Sequence, residues 1–500
     1  MRDPQNVRDR QRETNWLTYP THGRFMFRNI GPIHHAEMEL GDLTIIAGHN
    51  NTGKTYLAYS IYGFLKSWNQ SPHLYTDIAY NQDLSTSQPR PTSQEQLLTI
   101  DRLLATTSVE GHARESMSDE QWNRDRRTIS NEFSRHFSKD ILPDIFSVSP
   151  EVFKNSSVTI DLFDTSISEI RSLQVLPSGS RMYFSIRDHS ITLQSEGRKQ
   201  PIDTISSYQY MRDYYIKTLF PEFQHETTVF SSERFSISLF YRELDFTRNH
   251  LISLIQRIRH RNSRKGYSDR ILSDLIHTGT SQYARPIRDN IDYTRSIPDA
   301  LRKQSDVYGE KLHSEIEQIV KGSFVSEKGD LRFKSTSDRK QKFDLPLHMA
   351  SSSARGMSDL YFFLRHVARY HQLLIIDEPE SHLDTVNQVL LARLLSHFVR
   401  SGIRVLITTH SDYLLKEVNN LIMLNSEFKD KEEIMQDLEY SKHDMLDPRG
   451  IRGYIAEDRS LTQCKIDEYG VDWPVFDSTI DKINRTSNEL SYRIRGQTID

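Results

Sequence analysis

LTIIAGHNNTGKTYLAYSIYGFLKSW, residues 43–68, is the stretch that decides the fold. Its first five residues are rich in apolar and β-branched side chains, which reads as a short buried strand. Gly48-His-Asn-Asn-Thr-Gly53-Lys54-Thr55 then fits the pattern G-x-x-x-x-G-K-[ST] in full. From Tyr56 to Trp68 the apolar residues recur at helical spacing. Strand, glycine loop and helix therefore come in the order that a phosphate cradle requires. Glycines at 48 and 53 let backbone N–H groups approach phosphate oxygens, and Asn50, Asn51, Thr52 and Tyr56 complete the candidate contact set. The Lys54 ammonium can reach the outer phosphates of ATP, and the Thr55 hydroxyl can hold Mg²⁺. The N-terminus of the helix adds a favourable dipole at the same point.

Three further segments extend this constellation. LLIIDEPESHLD (Leu373–Asp384) is an apolar strand ending in acid. Asp377 is placed to help hold Mg²⁺, and Glu378 to orient and polarise an attacking water. ITTHSDYLL (Ile407–Leu415) puts His410 at the end of the next strand, where it can sense a terminal phosphate. A lone histidine is more often structural, but this position favours the functional role. Ser351-Ser352-Ser353-Ala354-Arg355-Gly356 opens the helix before the acidic strand. Ser352 and Ser353, with the helix N-terminus, can bind the terminal phosphate of a nucleotide held by a second subunit. A simple N-capping serine cluster accounts for the segment equally well.

In this order and spacing the four elements resemble the ABC-like ATPases of the SMC/RecF/OLD group. The phrases NNTGKTY, IIDEPES and TTHSDYLLKEVNNLIML resemble in particular the ATPases of prokaryotic anti-phage defence systems of the Septu, PARIS and retron-associated types. The resemblance covers Phe25–Trp68 and Phe343–Leu424. Over Thr227–Phe246 it reduces to Glu233-Arg234, which stands where the family tends to carry Pro-Ala-Glu-Arg. It implies an α/β P-loop NTPase of the ABC-type ATPase head, with a long, mainly helical central insertion and a small α+β C-terminal tail. It also implies ATP hydrolysis, and a homodimer or higher homo-oligomer that sandwiches Mg²⁺ and ATP between the P-loop of one subunit and the serine signature of the other. Asp384 would then lie in the D-loop at that interface, and a partner effector, a nuclease or toxin encoded nearby, would be under the ATPase's control. Two departures stand out: SSSARG replaces Leu-Ser-Gly-Gly-Gln, and DEPESHLD lacks the frequent Leu-His-Pro ending. The Q-loop glutamine has no identifiable counterpart. No Asp-x-Asp follows Leu424, so the Toprim nuclease that OLD-type members append is not expected in this chain. A DNA-binding repair ATPase of RecF/SMC type and an ATP-binding scaffold with little turnover remain as alternatives. A transporter subunit does not suit the long insertion.

Composition narrows the setting. Hydrophobic residues make up 36% and charged residues 26% of the 500, enough for a sizeable core. A net charge of −4 neither requires nor excludes nucleic acid. Cys464 is the only cysteine, which rules out an intrachain disulfide or a cysteine zinc site and suits a reducing cytoplasm. No apolar run approaches membrane-span length and no signal-peptide core begins the chain, so no membrane partner is expected. Residues 1–23 read as a polar, disordered tail. Residues 24–69 form the first part of the head, with two strands turning at Gly31–Pro32. Residues 70–343 form the insertion, with helices expected over 109–137 and 283–321 and strands over 180–194 and 322–335. Residues 344–424 form the rest of the head. The tail, 425–500, should hold a hairpin over 451–467 and a helix over 476–493. Arg257, Arg259, His260, Arg261, Arg264 and Lys265 form one basic cluster, read as a solvated loop before a phosphate-binding patch.

Overall fold

The computed structural model describes residues 23–70, 98–240 and 283–496, with short interruptions at 167–168, 178, 197–204, 224, 308, 328–329 and 337–342. The tail expected over 1–23, save its last residue, and the basic cluster at 257–265 lie outside the described residues.

A nine-stranded sheet organises the chain. Its members are β1 (Gly23–Ile30), β2 (Ile33–Met38), β3 (Leu43–Ala47), β4 (Ser157–Leu162), β5 (Thr227–Phe230), β6 (Leu373–Asp377), β7 (Arg404–Thr409), β8 (Ile451–Glu457) and β9 (Ser460–Gln463). They lie in the order β4-β1-β2-β9-β8-β3-β7-β6-β5. The block β8-β3-β7-β6-β5 is parallel throughout. Strands buried on both faces read as near-continuous apolar runs. Accordingly LTIIA in β3 and LLIID in β6 are buried from end to end. Alternate side chains feed two cores. Ile46, Ile375, Leu406 and Tyr454 face one; Ile45, Ile376, Ile407 and Ile455 face the other.

The first core is covered by α1 (Lys54–Gln70) together with parts of the insertion. There the Phe64 ring meets Phe25, Phe133 and Phe137 edge-on at 5.4, 4.8 and 5.2 Å between centroids, an arrangement that suits the aromatic quadrupoles. The second core is covered by α2 (Ser352–His366), α3 (Thr385–Arg400) and α4 (Asp412–Met423). At the outer edge of β4 the Ser138 hydroxyl accepts the Val158 N–H at 2.9 Å. That satisfies a backbone donor which an edge strand otherwise leaves open.

The fold is the α/β P-loop head that the sequence implied. The insertion adds helices at Asp119–His136, Ile205–Leu219, Arg285–Ala300 and Glu310–Val320. It also holds a four-stranded antiparallel sheet built on the hairpin Arg181–Arg187/Ser190–Ser195 and a three-stranded sheet built on Gly322–Glu327/Asp330–Ser335. It lends β4 and β5 to the main sheet. The helix expected over 109–137 is not continuous. Gly111 ends one helix in the left-handed region at φ 77°, and a strand runs through His112–Ser116. Ser118 opens the next helix with a capping box to Gln121. The Ser-x-x-Gln signal was present in the sequence and marks the break. The segment after Leu424 does form a hairpin and a helix (Pro474–Gly496). The hairpin is β8 and β9, however, and β8 pairs in parallel with β3 inside the main sheet.

Candidate nucleotide site

Three parallel neighbours, β3, β7 and β6, bring their C-terminal ends together. The loop after β3 is held tightly by segments remote in sequence. Gly48 has φ 146°, and a Cβ there would stand 2.5 Å from the Ala456 carbonyl of β8. Gly53 has φ 97°, and a Cβ would stand 2.8 Å from the Ile33 side chain and 2.9 Å from Pro32. Both positions demand glycine. His49, Asn50 and Asn51 are exposed at the rim, Thr52 is partly so, and the Thr52 hydroxyl donates to His49 O at 2.9 Å.

Lys54 is buried at the start of α1. Its ammonium donates to the carbonyls of Gly48 and His49 at 2.9 and 2.7 Å. Burial lowers its pKa, against the pull of Glu378, Asp377 and Glu380. A desolvated cation resting on carbonyls inside a glycine loop fits an anionic ligand such as a polyphosphate. The Thr55 hydroxyl lies 3.1 Å from both carboxylate oxygens of Asp377. A hydroxyl beside a carboxylate is a hard-oxygen donor pair, the chemistry that Mg²⁺ prefers. Asp377 is fully buried, and burial pushes its carboxyl up to about 6; hydrogen bonds from Thr408 and Thr55 hold it down, while Glu378 pushes it up.

Glu378 occupies a left-handed backbone position at φ 47°. Its N–H donates to the Thr408 hydroxyl at 3.0 Å, and that hydroxyl donates to Asp377. Its carboxylate accepts from the Ser381 hydroxyl at 3.1 Å. His410 follows directly after β7, 43% exposed at its side chain, with Nδ1 3.8 Å from Glu378 Oε1 and 3.5 Å from Glu380 Oε1. Glu380 is buried and also accepts from the Thr409 hydroxyl and the His410 N–H, at 2.6 and 2.9 Å.

The family profile described as "AAA ATPase domain" matches residues 25–415. The chain belongs to the AAA ATPase domain family. Among solved structures, this AAA ATPase is similar to an Smc head domain with an extended coiled coil bound to the C-terminal domain of ScpA, from Pyrococcus furiosus. Identity is 12%, 93% of this chain and 98% of that one are covered, and the TM-score is 0.30. The SMC head domain from Thermotoga maritima gives 8%, 89%, 98% and 0.28 on the same measures. An SmcHead bound to the C-winged helix domain of ScpA gives 10%, 89%, 98% and 0.32. No curated protein matches.

The structure of this AAA ATPase brings Gly48, Gly53, Lys54, Thr55, Asp377, Glu378 and His410 into one neighbourhood. Tyr56 lies beside them, with its ring stacked on Phe146 at 5.0 Å. The hydrogen bonds of the other candidates are local. Ser351 caps α2 by accepting from Ala354 N, and its hydroxyl pairs with that of Ser353 at 2.9 Å. Ser352 and Ser353 are partly exposed in the first turn. Asp384 is exposed and caps α3 through Asn387 N at 2.9 Å. Sequence reading did not single out Thr408, Glu380 or Ser381. Thr408 and Glu380 stand inside the quoted TTHSD and DEPES phrases, but the polar role of each depends on which strand lies beside β6. Arg234, noted only as half of a weak match, proves to be a buried hub behind Asp377 and Glu378. Among the described residues no helix is long and apolar enough to cross a membrane.

Proposed function

We propose that the chain binds and hydrolyses ATP with Mg²⁺, and that two copies close around the nucleotide. The observation that carries the reading is the meeting of Thr55 and Asp377 at 3.1 Å beside the buried Lys54. In this reading Lys54 neutralises the outer phosphates, while Thr55 and Asp377 hold Mg²⁺, which supplies charge neutralisation when bound. Glu378 takes up the proton of the attacking water, and His410 contacts the terminal phosphate. Ser352 and Ser353 in the first turn of α2, together with Asp384, face the nucleotide of a second copy. The motif phrases support a role in prokaryotic anti-phage defence, in which the ATPase gates a nuclease or toxin encoded nearby.

Steady-state turnover in a mixing design tests the dimer. Lys54→Ala and Ser352→Arg should each be inactive alone. In a mixed dimer both lesions fall on one composite site and leave the other intact, so partial turnover should return. Full activity of Lys54→Ala would remove the P-loop assignment. Full activity and unchanged dimerisation of Ser352→Arg would leave the serines as a helix cap and nothing more.

A further inference from the structure

Arg234 is among the largest fully buried side chains of the described residues. A guanidinium carries five N–H donors in a fixed planar fork, and here every bond goes to a main-chain carbonyl. Nε donates to Gly356 O at 3.2 Å. One terminal nitrogen donates to Ser231 O and Asp377 O at 3.2 and 2.9 Å. The other donates to Glu378 O and Pro379 O at 2.9 and 3.0 Å. Burial lowers its pKa, against the pull of Glu380, Asp377, Asp359 and Glu378. A buried charge is costly unless its hydrogen-bonding groups are fully used, and these are.

The geometry of those five carbonyls is what matters. Three are consecutive and belong to the turn that carries Glu378 in its left-handed conformation. A fourth belongs to α2, about one turn beyond Ser352 and Ser353. The fifth, Ser231 O, closes a ring. Asn290 Oδ1 accepts from Ser231 N at 3.1 Å, and Asn290 Nδ2 donates to the buried carboxyl of Asp359, again on α2, at 2.8 Å. α2 is thus tied twice to the segment that bears Arg234, and Arg234 is tied three times to the Glu378 turn. A shift at the start of α2 cannot leave the Glu378 backbone where it was.

We infer that Arg234 is a positioning residue that couples the serine start of α2 to the backbone of Glu378. Closure of a second copy over Ser352 and Ser353 thereby sets the aim of the Glu378 carboxylate. The inference rests on the ATPase reading above and adds the route by which the two ends of the site communicate. A lysine at 234 would keep the charge but offers only three donors, fewer than the carbonyls to be held.

The test compares Arg234→Lys, Glu378→Gln and the double variant with the wild type, by Mg-ATP binding and by single- and multiple-turnover hydrolysis. The expected result for Arg234→Lys is a loss of kcat of about tenfold or more, with KM and Kd for Mg-ATP moving less than about threefold. In the Glu378→Gln background the same substitution should cost nothing further, because the group it positions is already gone. Unchanged kcat in Arg234→Lys, a Kd that rises in step with the lost kcat, or an equal loss in both backgrounds would overturn the coupling and leave Arg234 a scaffold residue. If Arg234→Lys does not fold, amide hydrogen exchange decides the matter without a substitution at 234. Mg-ATP should protect the amides of 354–360 and 377–381 together. Ser352→Arg should remove both gains and leave 48–55 protected; gains that separate would overturn the coupling. Wild-type turnover in Lys54→Ala or Ser352→Arg is a different failure, because it removes the ATPase sandwich itself.

Discussion

Thr408→Val removes one hydroxyl from the centre of the site and leaves its volume filled. That hydroxyl donates to the Asp377 carboxylate and accepts the Glu378 N–H at 3.0 Å. Asp377 and Thr408 are fully buried and Glu378 is partly so, which limits how far water can replace either bond. A hydrogen bond to a charged group contributes ~1.5–3 kcal/mol, and a buried donor left unpaired costs ~1–3 kcal/mol. The two losses share one atom and do not add fully, so ~2–4 kcal/mol is the expected total. It should divide between stability and catalysis. Without the Thr408 bond the Asp377 carboxyl moves further above about 6, so at neutral pH less of it is ionised to hold Mg²⁺. The Glu378 N–H loses the anchor of its φ 47° conformation, and kcat should fall ~10–100-fold, which is ~1.4–2.7 kcal/mol of barrier. Steady-state hydrolysis over a Mg²⁺ titration at pH 7, with thermal unfolding in parallel, measures both parts. Thr408→Ser, which restores the hydroxyl, should recover most of each. A Thr408→Val chain with the wild-type unfolding temperature, Mg²⁺ dependence and kcat would refute the reasoning.

Two further outcomes are expected. Glu378→Gln should bind Mg-ATP yet turn it over ~10²–10⁴-fold more slowly, since an amide cannot accept the proton of the attacking water; mass photometry with Mg-ATP should find it enriched as the dimer. Away from the site, His397 on α3 lies between Glu315 at 2.6 Å and Asp444 at 2.8 Å. Burial opposes its charge, but the two carboxylates prevail and raise its pKa, while Asp444 is held down at about 2. The histidine's contribution is therefore complete below its unfolded value of ~6.5 and lost as pH rises through the higher folded value. That of Asp444 is complete above ~3.9 and lost as pH falls towards 2. Replacing His397 by Gln should cost ~3–5 kcal/mol near pH 5 by leaving acids without their cation, and should flatten the alkaline limb of stability in urea titrations across pH.

The readable parts of the fold were those where one short window carries the whole cause. β3, β6 and β7 are short, mostly apolar runs, because a parallel strand covered on both faces favours apolar residues nearly throughout. The P-loop declares itself because Gly48 and Gly53 sit where a Cβ cannot. Asp377 ends one such strand, and Glu378 and His410 are the first residues beyond β6 and β7. What stayed hidden depends on which strands are neighbours. Thr408 matters only because β7 lies between β3 and β6, and no local pattern encodes strand order. Arg234 looks like an ordinary charged residue until five carbonyls from three separate segments are found around it. The capping box at Ser118 was legible, but the polar residues on either side of the break hid the strand at 112–116 within an apparently helical stretch.

The placement of β8 changes what the C-terminal segment is for. A piece appended to a finished head would touch it through a surface and leave the loop geometry unaffected. β8 instead pairs with β3 from Leu43 to Ala47, on the side opposite β7, so the strand that launches the P-loop is central only because β8 is present. The contact continues into the loop: Gly48 is pressed against Ala456 O. Beyond it, the β8–β9 turn reaches the N-terminal hairpin, where His34 N donates to Arg459 O at 2.8 Å. That same hairpin supplies Pro32 and Ile33, the residues that close on Gly53. The phosphate loop is therefore gripped at its first glycine by a segment some 400 residues later in the chain and at its last by one some 20 residues earlier. A loop held from both sides can keep its N–H groups aimed before any ligand arrives, and that preorganisation is what a phosphate site needs.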